Sequence, residues 1–454
     1  MNLRDAIFYH IYPLGALGVL DGPRSFGSGS PDAVPLERLR DWIPAMERVG
    51  ANALYLGPVF ESERHGYDTV DHGRVDARLG SNADLAAFSR TLREQGISLV
   101  LDAVFNHVGR SHPLVRDVAE NGPASPHASW IADYDPNGSR GGLPFGYRGW
   151  AGNDDLVQLD TGHAPVREFL IGIALDWIGA YGIAGLRLDA ADCLDRGFLR
   201  ELGRRCRERV PDFFLIGEAL DGITYASLLA DGLDSATDFE ACKALWSSYN
   251  DRNFHEIAWT LERLFGEQGL CRDAPLYSFA DNHDVDRVAS LVRDPAGLYP
   301  LYGLLFAMPG VPSVYYGSEW GTVGRKVAGD DRPLRPALDP GREAEHAPQP
   351  DLAMAISRFA KARRASRAVR EGDCRLLKVE SEGISLLRRA GSDLALVSVN
   401  ASPRAMATAL PTEGISGRVL VDLLDPGYRL RVPSSGSVAV DVPPHWLRWL
   451  VPAT

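Results

Sequence analysis

The chain has 454 residues, 45% hydrophobic and 24% charged, with a formal net charge of -12. The acidic balance argues against nucleic acid or an anionic membrane surface as partner, because both draw basic patches. The five cysteines (193, 206, 242, 271 and 374) are scattered and form no CxxC pair, so they read as buried free thiols of a reducing cytoplasm.

The first residues, "MNLRDAIFYHIYPLG", lack the basic and then purely apolar run of a secretory signal, and none is expected. Short runs rich in β-branched and aromatic residues predict eight strands, at 7–14, 53–59, 98–107, 184–190, 213–220, 235–240, 276–284 and 311–319. Helical periodicity fills the intervals, as at 36–49, 83–95, 166–180 and 198–209. The alternation predicts an α/β fold, a parallel (β/α)8 TIM barrel, over residues 1–107 and 161–371. Residues 108–160 are rich in Gly, Pro, Asn and Asp. They far exceed a βα loop of about 2–6 residues and read as a subdomain inserted after the third strand. The most apolar window, 298–317, carries three prolines and three glycines, which breaks a membrane span. From 372 to 454, short strands divided by turn signals predict a C-terminal antiparallel β-sandwich.

The fourth strand, "AGLRLDA", poses a physical question. At period two, Arg187 and Asp189 share one face, and burying them costs several kcal/mol unless they are paired or used. In a (β/α)8 barrel, reactive groups gather at the C-terminal ends of the strands. Those ends carry Asp102, Arg187, Asp189, Glu218 and Asp284, with His107 and His283 beside them. Any one of these is ordinarily a satisfied ion pair; five on one rim are not required by stability. Thiol catalysis lacks a Cys–His pair. Phosphate chemistry lacks a glycine-rich loop, and zinc lacks its histidine spacing. Convergent acids with an arginine and no cofactor suit glycoside cleavage, in which one carboxylate attacks the anomeric carbon and another protonates the leaving oxygen.

These segments, in this order, resemble the α-amylase family of glycoside hydrolases. "DAVFNH" (102–107), "GLRLDAA" (185–191), "GEAL" (217–220) and "FADNHD" (279–284) are similar to its third-, fourth-, fifth- and seventh-strand motifs, and "HGYDTVDHGRVDARLGS" and "LVQLD" to two further segments. The resemblance implies retention of configuration, with Asp189 as nucleophile, Glu218 on its apolar strand as general acid/base, and Asp284 as stabiliser of the distorted sugar. It implies that Arg187 keeps Asp189 ionised, that Asp102 orients its neighbours, and that His107 and His283 hold the sugar at the cleavage point. Tyr67 would be the platform beneath that sugar, and Asp331 and Arg335 would contact the next one.

The segment "YRGWAGNDDLVQLD" is most similar to the neopullulanase and cyclomaltodextrinase group, which acts on oligosaccharides. That group usually has an extra N-terminal β-domain that narrows the cleft. With a first strand at residue 7, none is expected here, so the insert around Tyr147 and Trp150, or a neighbouring subunit, would have to supply the wall. Asp192-Cys193 replaces a common Lys-His, and Leu220 stands where tryptophan is frequent. Gln158 occupies a common aspartate position and Cys193 a histidine one, so the family's structural calcium is not expected at its usual place. The expected protein is a cytoplasmic hydrolase of short, cyclic or branched α-glucans, such as cyclodextrins, pullulan fragments or cyclic maltosyl-maltose. It needs no cofactor, metal, nucleic acid or membrane, and is compatible with a homodimer. A transglycosylase with the same site and an inactive binding homologue are the alternatives; the retained acids oppose the second.

Overall fold

The computed structural model describes residues 1–20 and 35–453. Eight parallel strands form one sheet: β1 (Phe8–Ile11), β2 (Ala53–Leu56), β3 (Ser98–Ala103), β4 (Gly185–Leu188), β5 (Phe214–Gly217), β6 (Ser235–Ala236), β7 (Tyr277–Phe279) and β8 (Val311–Tyr315). Their order is β6-β5-β4-β3-β2-β1-β8-β7, and a parallel bridge from Thr237 to Tyr277 closes the ring. All eight predicted strands are present, each shorter than its apolar run. The first stops at Ile11 because Pro13 begins a helical turn, and the sixth keeps only two residues.

Period two sorts the side chains. Phe8, Ala53, Val100, Phe214, Ile216, Tyr277, Phe279 and Val311 form one buried cluster, the barrel interior. Leu54, Leu99, Leu101, Leu186, Leu188 and Leu215 belong to the larger cluster beneath the helices. Arg187 lies level with Asp102 on β3 and Ile216 on β5, on the interior phase, at the top of that filled column. The helix Ala164–Tyr181 feeds this strand. It ends at Gly182, whose φ of 60° suits a residue without Cβ and whose N–H caps Ile178 O at 2.9 Å. Gly185 is a second necessity, because a Cβ there would meet the Phe214 ring at 2.5 Å.

Between β3 and β4, His107–Gly109 pairs antiparallel with Leu156–Gln158, His107 opposite Gln158. The chain between them holds the helix Pro113–Asn121 and short turns, not a compact connector. Beyond the barrel, six antiparallel strands run in the order 373–380, 383–390, 393–400, 446–452, 419–422, 429–431. A ribbon of Met406–Pro411 with Ser437–Val442 covers one face, with Leu387, Leu396, Leu410, Val440 and Leu450 in its core. The other face packs on the helix Leu298–Ala307. Buried Arg363 and Arg388 reach the end of that helix, donating to Phe306 O at 3.0 Å and Ala307 O at 2.8 Å. No helix among the described residues is long and apolar enough to cross a membrane.

Candidate active site

Arg187 is the centre of the rim. Its Nη1 lies 2.9 Å from Asp102 Oδ1 and 2.8 Å from Asp189 Oδ1, and its Nη2 lies 2.5 Å from Glu218 Oε1. Asp102 is fully buried, and its other oxygen accepts from Tyr55 OH (2.6 Å) and Tyr67 OH (3.0 Å). With both oxygens engaged, it can orient neighbours but has no lone pair directed at a ligand. Among the described residues, Asp189 Oδ2 has only His107 Nε2 nearby, at 3.9 Å. Ala190 follows with φ 45°, a left-handed conformation that costs an alanine of order 1 kcal/mol and turns its N–H onto Glu218 Oε2 at 3.0 Å.

The strand leading to Glu218 is apolar and buried as expected, yet the carboxylate itself is folded onto a guanidinium and a backbone N–H. The expected lowering of Asp189 by Arg187 is present but outweighed. Burial, and then the neighbouring Glu218 charge, push the Asp189 carboxyl well above the usual carboxylate range; Arg187 pulls against both without prevailing. One cation serving two buried acids and the partly exposed Glu218 cannot compensate them all. Asp284 is the opposite case. Burial works against its charge, yet His283 (Nε2 to Oδ2, 3.0 Å), Arg335 (Nη2 to Oδ1, 3.0 Å) and Arg187 hold its carboxyl well below the usual range.

His107 is neutral. Burial takes its pKa down to about 4, Asn106 Nδ2 lies 3.1 Å from its Nδ1, and its Nε2 lies 3.0 Å from Tyr67 O. If Asn106 donates to Nδ1, the proton sits on Nε2, facing both Tyr67 O and Asp189. Tyr67 stacks on His283 at 5.5 Å and 10°, and its hydroxyl meets His283 Nε2 at 2.5 Å. Arg335 is almost buried and has four polar partners: His283 O, Asp284, Asp331 (3.2 Å) and Tyr12 OH (3.4 Å). It is thus engaged with Asp284 rather than free for a second sugar, while Asp331 stays open to the cavity.

A cavity of about 1050 Å³ opens over this cluster, lined by Tyr67, His107, Asp189, Glu218, Asp284, Asp331 and Arg335 among others. Trp150 of the insert lines it and lies 5.4 Å from His107; Tyr147 does not, being buried with its hydroxyl on Asp154 O. Cys193 is exposed on the cavity wall, unlike the four buried cysteines, against the expectation that all five are buried. Tyr12 and Tyr55 hold the cluster together, yet their sequence signal, a tyrosine in or just after an apolar strand, is the same as that of a core residue.

The donor set does not fit calcium at the family's usual place. Asn106 Oδ1, the oxygen a cation would take, accepts the Gln158 Nε2–H at 3.0 Å, and an amide N–H repels a cation. Among the described residues, no three His, Cys, Asp or Glu side chains form a metal cluster. EDTA should therefore leave the melting temperature within about 1 °C at neutral pH; a large drop reversed by calcium would overturn this.

A family profile, the alpha amylase catalytic domain, matches residues 23–340. The chain belongs to the α-amylase family. It is 30% identical over 419 residues to a cyclomaltodextrinase of a Bacillus species, covering 88% of this chain and 73% of that one. It is 27% identical over 336 residues to the intracellular maltogenic amylase of Bacillus subtilis, covering 71% of this chain and 56% of that one. Among solved structures it is similar to the cyclic α-maltosyl-(1→6)-maltose hydrolase of Arthrobacter globiformis in its ligand-free form, with TM-score 0.80, 26% identity and 99% of each chain covered. This amylase-family chain is accordingly a glycosidase built as a TIM barrel with a C-terminal β-sandwich.

Proposed function

We propose that this glycosidase hydrolyses α-1,4 bonds, with some α-1,6 activity, in short, cyclic or branched α-glucans, with retention. The observation that carries the mechanism is the shared guanidinium. Asp189 and Glu218 stand at the ends of adjacent strands and both reach Arg187, which supports their working as a pair on one sugar, while the retaining outcome rests on the family likeness. Asp189 Oδ2, free of strong partners, attacks the anomeric carbon as Glu218 delivers its proton to the glycosidic oxygen and the leaving sugar departs. Water then gives a proton to Glu218 and its oxygen to the anomeric carbon, releasing Asp189. The cycle needs Glu218 protonated and Asp189 ionised, and Arg187, 2.8 Å from Asp189 Oδ1, favours that charge. Glu218 must swing off Arg187 and Ala190 to act, so substrate binding includes that turn.

Asp284 stays ionised and accepts from sugar hydroxyls, His107 and His283 flank it, Tyr67 forms the platform and Asp331 meets the next sugar. We read residues 1–107 and 161–371 as the catalytic barrel, 108–160 as the inserted subdomain and 372–454 as the C-terminal sandwich. A cytoplasmic setting and a homodimer complete the reading; the relative named intracellular supports the first.

The preference for small substrates rests on the named relatives and on Trp150, which stands over His107 where a wall is needed. The test compares kcat/KM on soluble starch with that on a cyclodextrin and a cyclic maltose-based tetrasaccharide. A cyclic substrate is expected to be better by tenfold or more, with starch still cleaved, because pocket shape alone discriminates by only about 1–3 kcal/mol. Starch as the better substrate would overturn the reading.

A further inference from the structure

A second cavity of about 580 Å³ lies between the barrel and the C-terminal sheet and shares no residue with the first. Its frame is tightly pinned. Arg293 donates to Asn250 O and Asn250 Oδ1 at 2.9 Å each, Asn250 donates to Leu291 O at 2.8 Å, and His445 N–H donates to Ser402 O at 3.0 Å. The side chains along its rim, mostly exposed, are by contrast loosely joined. Arg252 is 3.4 Å from Glu382, Arg293 is 3.5 Å from Asp251, Tyr249 is 3.4 Å from His445, and His445 is 3.9 Å from Asp294. Each separation exceeds the ordinary 2.7–3.2 Å of a good hydrogen bond, so these groups retain bonding capacity for a third party.

Backbone conformation singles out the same place. Five non-glycine residues among those described have positive φ. Ala151 and Ala190 line the active-site cavity, and Arg252 (49°) and His445 (44°) line this cleft. Such conformations persist where the surroundings over-determine them and cluster at ligand sites. The ligand class follows from charge and shape. Two arginines face three carboxylates, so neither an anion nor a polycation is favoured. Tyr249 and His445, with ring centroids 6.3 Å apart, set two aromatic rings in the cleft beside planar groups able to pair adjacent hydroxyls. The volume falls within the range of small-ligand sites at domain junctions.

We infer that this cleft is a second oligosaccharide-binding site, which holds an α-glucan away from the catalytic rim. Its choice of glucan rests on the proposed substrate class. Hydrogen-exchange mass spectrometry on the Glu218→Gln protein, titrated with maltotriose, reads both places at once. Protection is expected at 249–254 and 443–446 as well as at the active-site loops. In the same background, Arg293→Ala combined with His445→Asn, which tolerates a left-handed backbone, should weaken the cleft event tenfold or more and leave the active-site event within twofold. Protection at the active site alone, at saturating maltotriose, would overturn the inference and leave the substrate reading standing. Protection at neither place would sink both, and the exchange pattern of Glu218→Gln decides the matter even if the double variant fails to fold.

Discussion

Asp189→Asn and Glu218→Gln should each cost about four orders of magnitude or more in turnover of an unactivated maltooligosaccharide, with the fold unchanged. The two losses are expected to differ in kind. Asp189 is proposed to form the covalent bond, so no leaving group restores Asp189→Asn. Glu218 is proposed first to protonate the departing oxygen, and a glycosyl fluoride needs no such proton. Glu218→Gln should therefore form the glycosyl-enzyme from α-maltosyl fluoride, accumulate it, and release it faster when azide is added. More than a few per cent of wild-type rate in either variant on maltotriose, or equal rescue of both by the fluoride, would refute the assignment.

Replacing Arg187 should be the most destabilising single change at the rim. Three carboxylates contact this one buried guanidinium, and breaking a buried ion cluster by removing one partner typically costs about 3–5 kcal/mol. Arg187→Met is expected to lose that much in urea unfolding at pH 8, and less at pH 5. The direction follows from proton linkage. The Asp189 carboxyl lies above its unfolded value, so between the two values the folded chain binds more protons than the unfolded one, and stability falls as pH rises. Arg187 pulls that carboxyl down; without it the window extends upward, and the loss deepens toward alkaline pH. Arg187→Lys keeps a charge and should recover part of the stability. A loss below 1 kcal/mol, or one equal at the two pH values, would contradict this account.

The barrel and the rim were legible in the sequence because both obey short periods. Alternation at period two puts Gly185, Arg187 and Asp189 on one phase, and the order of the strand-end motifs fixes which acids meet. What the sequence does not carry is distance. That Glu218 folds onto Arg187, that Arg335 is occupied by Asp284, and that Asp189 is raised rather than lowered all depend on separations across four strands. The Gln158–Asn106 bond was half legible, since the residue types excluded one partner without naming the other. Cys193 shows the limit of a rule about averages: most unpaired cysteines are buried, and this one lines the site.

Arg388 belongs to the C-terminal sheet and Arg363 to the helix before it, yet both satisfy carbonyls where the barrel's Leu298–Ala307 helix ends and turns toward β8. Burial even brings the Arg363 pKa down to about 9, so this guanidinium is held where water is scarce. Cutting the chain near residue 372 would remove Arg388 and strip a helix end of one of its donors next to the strand that precedes Asp331 and Arg335. Cooperativity therefore crosses the visible seam. The sheet is a keystone for the barrel rather than an attachment to it, and its loss would be felt first where the Leu298–Ala307 helix turns into the eighth strand.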